Sequence, residues 1–288
     1  MTSLALPLII ISAMMHALWN LLAKRAKTSG VILVFLFAVV ETVVYLPFVI
    51  VALHQLRIGV LSWVAVGFMF GSGLLHTLYF WFLSKGYSIG DLSIVYPIAR
   101  GTGPLLATIG AIFIFSERPT LIVFGGTLII CSGVIILTGD PRQLAKSDAL
   151  IGVSYGFVTG LVVASYTLWD AYAMSRVLIA PLMFQAGLSV IRMVILFPFV
   201  LHRAEEIRHA WRIDHWNIIG IAIMSSLAYL IILFVLAFAP VSYVAPMRTL
   251  SILIGVLLGT NLLKEKDMPR RVLASLAIIV GVVMLNIG

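Results

Sequence analysis

The sequence predicts an all-α integral membrane protein, with ten transmembrane helices arranged as two inverted five-helix repeats around a central cavity. Three observations carry that expectation. Ten apolar segments, near 4–24, 31–53, 60–83, 91–115, 119–138, 149–174, 180–201, 216–238, 241–262 and 270–287, fill nearly the whole chain. Hydrocarbon is about 30 Å deep and a helix rises about 1.5 Å per residue, so roughly twenty apolar residues make one crossing. Period-2 alternation, the mark of a membrane barrel, is absent, and backbone amides in lipid must find partners inside their own segment. The third observation is that the second half of the chain repeats the first.

Composition narrows the class further. The chain is 62% hydrophobic and 10% charged, whereas soluble domains average about 25% charged. Connecting loops are too short for a separate catalytic domain. The stretch Met1 to Pro7 lacks a basic n-region and reads as the start of a retained span, not a signal peptide. A net charge of +8 fits basic loops on the cytoplasmic side better than a nucleic-acid surface. The odd-numbered loops hold most of the basic residues, among them Lys24, Arg25, Arg142, Arg203, Lys264 and Arg270, while the even-numbered loops hold Arg57, Arg118 and Arg176. That asymmetry predicts a multi-pass protein of the bacterial inner membrane with cytoplasmic odd loops and both termini outside.

In chain order, span 1 puts His16, Trp19 and Asn20 on one face, with Lys24 a turn further on. Span 2 carries Glu41 and Pro47. Span 3 opens on Trp63, an interface anchor, and aligns Ser72, His76 and Tyr79. Span 4 contains Tyr96-Pro97-Ile98-Ala99-Arg100-Gly101-Thr102-Gly103-Pro104, where two prolines and two glycines predict a break beside a cavity. Glu117 precedes span 5, whose Cys131 reads as a small buried hydrophobe with no disulfide partner. Residues 140–148 form a linker between halves at 1–139 and 149–288. Span 6 aligns Tyr166, Trp169 and Asp170, and span 7 carries Arg192. His202 to His215, with Ile207 and Trp211 one turn apart, reads as a short interfacial helix. Span 8 holds Ser225 and Tyr229; span 9 holds Pro246 and Arg248; span 10 holds Ala277 and Gly281. Small residues four apart, at Gly67/Gly71, Gly156/Gly160, Gly255/Gly259 and Ala277/Gly281, predict close helix crossings.

The internal repeat is legible in register. Ala17-Leu18-Trp19-Asn20 returns as Thr167-Leu168-Trp169-Asp170, and Pro47-Phe48-Val49 as Pro198-Phe199-Val200. Trp63, Gly67, Ser72 and His76 match Trp216, Gly220, Ser225 and Tyr229; Arg100, Glu117 and Gly133 match Arg248, Glu265 and Gly281. Five spans per half is an odd number, so the second half enters the membrane upside down. Inverted repeats are a recurrent plan of secondary transporters, with the substrate near the midplane.

These residues resemble the drug/metabolite transporter superfamily, EamA type. The matches run from Pro97 through Glu117-Arg118-Pro119-Thr120 to Gly133, and from Pro246 through Glu265 to Gly281. The second copy reads Lys264-Glu265-Lys266-Asp267 where a Gly-Glu-Arg type sequence is common. His16-Ala17-Leu18-Trp19-Asn20 followed by Lys24 is similar to a subset associated with phosphonate or amino-acid metabolism. The resemblance implies a cavity lined by spans 1, 3, 4, 6, 8 and 9, with spans 5 and 10 peripheral, and export as the commoner role. Relatives are often drawn with both termini in the cytoplasm, opposite to the charge count, which is the expectation kept here.

Embedded ionisable groups are the first functional suspects, because a lone charge at the bilayer centre costs several kcal/mol. The expected substrate-binding set is His16, Trp19, Asn20, His76, Tyr79, Tyr96, Arg100, Tyr166, Trp169, Asp170, Tyr229 and Arg248. Arginine forks suit a carboxylate or phosphonate, and aromatic faces suit the body of an amphipathic solute. Glu41 and Arg192 occupy near-equivalent places in the repeats and are expected to pair or to take part in coupling. No metal or nucleotide signature and no recognisable catalytic set is present in the sequence, so no cofactor is expected and an enzyme is disfavoured; proton coupling through Glu41, Asp170, His16 or His76 stays open. The expected function is a secondary active transporter, an exporter of a small polar or amphipathic metabolite such as an amino acid or related organic anion, working by alternating access. The alternative is a membrane scaffold or lipid-binding subunit with no transport cycle. Expected partners are a small-molecule solute and the lipid bilayer, not nucleic acid, with the chain a monomer or homodimer.

Overall fold

The computed structural model describes residues 4–56, 62–89, 92–138, 149–255 and 268–288. Among these the chain is helical throughout: α1 (Ala5–Arg25), α2 (Gly30–Leu56), α3 (Trp63–Ile89), α4 (Leu92–Phe115), α5 (Leu121–Thr138), α6 (Ala149–Ser175), α7 (Pro181–Val200), α8 (Ala204–Leu236), α9 (Val241–Met247) and α10 (Met268–Ile287). Seven of them are long and apolar enough to cross a bilayer, and shorter apolar helices complete the set. This is a multi-pass membrane protein. The 140–148 linker, Arg57, Gly259 and Glu265 lie outside the described residues.

Burial is arranged for lipid. Large apolar side chains such as Phe113 and Leu121 face outward, while Glu41, Asp170 and Arg192 are buried within the bundle. Hydroxyls inside the spans donate to carbonyls one turn back, as Thr42 does to Ala38 (2.8 Å) and Thr108 to Pro104 (3.0 Å), so they ask nothing of the hydrocarbon. The most extensive packing joins α4 to α6, α5 to α10, α1 to α8, α3 to α6 and α2 to α7. Two seams depend on glycine. A Cβ at Gly160 of α6 would lie 3.3 Å from Ala99 O and 3.2 Å from Gly103 N of α4. A Cβ at Gly281 of α10 would meet Gly126 O of α5 at 2.7 Å. By contrast Gly67 faces open space, so its expected crossing with Gly71 does not form there.

Two elements differ from expectation. The segment His202 to His215 is not a separate interfacial helix; from Ala204 onward it is continuous with span 8 in the 33-residue α8. At about 1.5 Å per residue α8 is about 50 Å long, so its first turns extend beyond the hydrocarbon. Asp214 ties that extension down, accepting from Thr28 N at 2.6 Å and from Asn217 Nδ2 at 3.0 Å. The break expected at Arg100 is absent, since α4 stays helical across Pro97 and Pro104. It falls instead at the repeat partner: α9 stops at Met247, Arg248 and Thr249 form a turn, and residues 250–255 are helical again. At this turn Thr249 Oγ1 donates to Pro246 O (2.6 Å) and Ser251 Oγ to Arg248 O (2.9 Å), beside the backbone bonds that these carbonyls accept from Thr249 N and Ser251 N.

The start of α9 is held by the other half of the chain. Glu117, in the α4–α5 connection, accepts from Val241 N at 2.7 Å and from Ser242 N at 2.9 Å. One carboxylate thus satisfies two orphan donors at a helix start. Glu117→Ala is expected to lower stability by about 1–3 kcal/mol, because both N–H groups lose their partner. Glu117→Gln should cost less. Thermal unfolding of the purified protein in detergent measures both.

Candidate functional site

The polar residues of eight helices converge on one central cavity with two lobes. The first lobe, about 40 Å³, lies among Ser12 and His16 of α1, Arg100 of α4, Tyr166 and Thr167 of α6, Tyr229 of α8, and Arg248 and Ser251 around the span-9 break. The second, about 90 Å³, adds Trp19, Phe37, Glu41, His76, Tyr79, Gln185, Arg192 and Ser225. His16, Arg100, Tyr166, Tyr229 and Arg248 line both lobes and form the waist between them. One water needs about 10–15 Å³ of such space, so each lobe has room for more than one water.

The waist is built from rings and guanidinium groups. His76 Nδ1 lies 2.9 Å from the Ser72 carbonyl in its own helix, which fixes the imidazole plane. The ring stacks on Tyr166 with centroids 4.2 Å apart and takes the edge of Tyr229 at 5.2 Å. Tyr229 donates its hydroxyl to Asp170 Oδ2, which anchors the phenol against α6. Over these two rings sits Arg248, 5.4 Å from the Tyr229 centroid and 5.9 Å from that of Tyr166, with Nη1 donating to Thr167 Oγ1 at 3.4 Å. Arg100 lies 5.4 Å from the Tyr96 ring, and its Nη2 donates to Tyr79 Oη at 3.4 Å. A cation over a ring gains about 2 kcal/mol once desolvated, which helps to hold these groups in place.

In the second lobe Arg192 Nη1 is 3.2 Å from Glu41 Oε2. Glu41 also accepts from Ser189 Oγ (3.0 Å) and from Ser225 Oγ (3.2 Å). Four groups from α2, α7 and α8 therefore form one buried network. Its two charged members are nearly sealed from solvent: Glu41 is 2% exposed and Arg192 7%.

Most of the sequence-derived set meets here, but not all. Trp169 turns away from the cavity; its indole lies over Gly71 and donates to Phe68 O at 2.9 Å on the outer α3–α6 seam. The missing side chain at Gly71 provides the space. Asn20 is exposed and donates to the His16 carbonyl at 2.6 Å, so its amide is spent on its own helix. Tyr96 supports Arg100 without lining either lobe, and Asp170 lies behind Tyr229. Lys24 is exposed. The expected lining by spans 1, 3, 4, 6, 8 and 9 is incomplete, since α2 and α7 also contribute. Gln185 and Ser189 were missed because attention to charged and aromatic residues passes over neutral polar ones. Gln185, Ser189 and Arg192 fall at i, i+4 and i+7 in an otherwise apolar helix, and that polar stripe was the available signal. Among the described residues no cluster of His, Cys, Asp and Glu is arranged to hold a metal.

Removing one member of the buried network leaves the other charged and desolvated. Arg192→Ala is expected to destabilise by about 3–5 kcal/mol, and Glu41→Gln with Arg192→Met together by distinctly less. A double-mutant cycle of unfolding in detergent gives the pair's coupling.

Comparison with known proteins agrees with this architecture. One solved crystal structure of a protein superposes with a TM-score of 0.75, over 97% of this chain and 98% of its own, at 13% sequence identity, a likeness of fold alone. No curated protein matches in sequence. The model of the EamA-like transporter family matches residues 3–139 and again 150–287, one match in each half. Matched across nearly its full length, the chain belongs to the EamA-like transporter family.

Proposed function

We propose that the protein is a secondary active carrier that exports a small polar or amphipathic metabolite with an anionic group, such as an amino acid or related organic anion. The observation that carries this reading is the charge of the cavity. Among the described residues Arg100, Arg192 and Arg248 line the second lobe; Glu41 is bonded to Arg192, and Arg248 rests on the Tyr166 and Tyr229 rings. A buried guanidinium costs several kcal/mol in a membrane interior, and an anion beside Arg248 would offset that cost. The rings of Tyr79, Tyr166 and Tyr229 supply faces for the rest of the solute.

The transport cycle we infer is alternating access between two inverted repeats. In support, residues matched by the internal repeat touch across the centre: Glu41 with Arg192, and His76 with Tyr229. Helix pairings follow the same exchange, α1 with α8 and α3 with α6. The bacterial inner membrane, cytoplasmic odd loops and proton coupling through Glu41 or Asp170 belong to the same proposal. An apolar crevice of about 450 Å³ between α2, α3 and α7, lined by Val34, Trp81 and Phe199 among others, favours the second reading of a lipid-binding subunit.

Transport of labelled amino acids and organic anions in proteoliposomes tests the proposal. Arg248→Ala is expected to lower flux roughly ten- to a hundredfold, since a hydrogen bond to a charged group contributes about 1.5–3 kcal/mol. Unchanged flux removes the role assigned to Arg248. Cysteines placed at the waist should react from both sides of the membrane in a carrier and from one side in a scaffold.

A further inference from the structure

We propose that the second lobe is a recognition subsite for a neutral hydrogen-bonding group, a carboxamide above all, carried at the far end of the transported anion. This rests on the anion reading above and adds to it what the rest of the solute must be.

Three polar atoms of residues lining this lobe are buried and have no hydrogen-bond partner: Gln185 Oε1, Arg192 Nε and Trp19 Nε1. Gln185 is 1% exposed and Arg192 7%, so water outside the bundle does not serve them. A buried polar atom left without a partner costs about 1–3 kcal/mol, and in folded interiors such atoms are few and scattered. Three around one cavity of about 90 Å³ mark a place where hydrogen-bonding capacity is held open for a visitor. They come from two different helices, Trp19 from α1 and Gln185 and Arg192 from α7, so no local backbone effect accounts for the cluster.

The chemistry of the three selects the visitor. Arg192 Nε and Trp19 Nε1 offer N–H donors, and Gln185 Oε1 is an acceptor. A carboxamide answers all three: its oxygen has two lone pairs for the donors and its NH₂ donates to Gln185. A hydroxyl answers in part. A second carboxylate carries no proton for Gln185 Oε1. An ammonium group brings no acceptor for either N–H. The one acid on this wall, Glu41, is already bonded by Arg192, Ser189 and Ser225. An alkyl end would leave all three atoms unpaired, the situation in which discrimination against an isostere is strongest. Arg100 and Arg248 line both lobes, so an anion held at the waist directs its other end here.

The test is competition and thermal-shift measurement on the full protein with three short carboxylates. Succinamate carries the amide, 4-methylpentanoate replaces it with an isopropyl group of the same shape, and succinate replaces it with a second charge. In the wild type, succinamate should bind on the order of tenfold tighter than either, the ratio that one to two hydrogen bonds supply. In Gln185→Leu that preference should collapse to within about threefold, and in Trp19→Phe, which removes one N–H from a half-buried ring, it should fall measurably. Trp19→Phe decides the matter if Gln185→Leu does not fold. Equal binding of succinamate and 4-methylpentanoate by the wild type overturns the proposal. A preference that survives Trp19→Phe also overturns it and assigns the three atoms to water. If none of the carboxylates binds, and Arg248→Ala changes nothing, the anion reading fails and the subsite falls with it.

Discussion

A guanidinium group inside a bilayer has to face protein, and that single constraint organises this bundle. Arg100, Arg192 and Arg248 stand on three different spans, and all three line one cavity. Each is held by different means. Arg192 has a carboxylate and a phenylalanine ring, Phe37, at 5.6 Å; Arg248 has two tyrosine faces and a threonine hydroxyl; Arg100 has Tyr96 and Tyr79. Ring faces attract a cation, so Arg248 is held between α6 and α8 by Tyr166 and Tyr229.

The second feature is that rigidity is distributed unevenly. Where α4 meets α6 and α5 meets α10, glycines let backbones touch, and dispersion forces between close helices drive association in lipid. Around Arg248 the helix is interrupted, its carbonyls served by Thr249 and Ser251. Irregular backbone at membrane depth is tolerated beside a cavity or within protein, and this break lies on the first lobe. Arg248 thus sits on a turn between two helical stretches. Glu117 adds a link across the halves by holding the first residues of α9.

Much of the fold was readable from residue order. Span lengths follow from hydrocarbon thickness, and the embedded charges announced themselves because their burial is expensive. The pairing of positions near Glu41 and Arg192 could be expected from repeat register, and their contact is present in the bundle. The site was legible in outline only. Trp169 shares a helical face with Tyr166 in sequence, yet Gly71 on the neighbouring helix draws its indole outward. Gln185 and Ser189 carry no charge and so raised no alarm, although both line or support the cavity.

Residue order therefore settled what depends on one helix and its solvent: which segments cross, how many, and which side chains are too costly to face lipid. Packing settled what depends on several helices at once. It put the backbone break at Arg248 rather than Arg100, two positions that the repeat register treats as equivalent. It joined residues 204–215 onto span 8, with Asp214 accepting from Thr28 N on the α1–α2 connection. It also chose which polar atoms would be left unpaired around the second lobe. These are relations between residues far apart in sequence, and the free energy of such contacts belongs to the pair, not to either residue read alone.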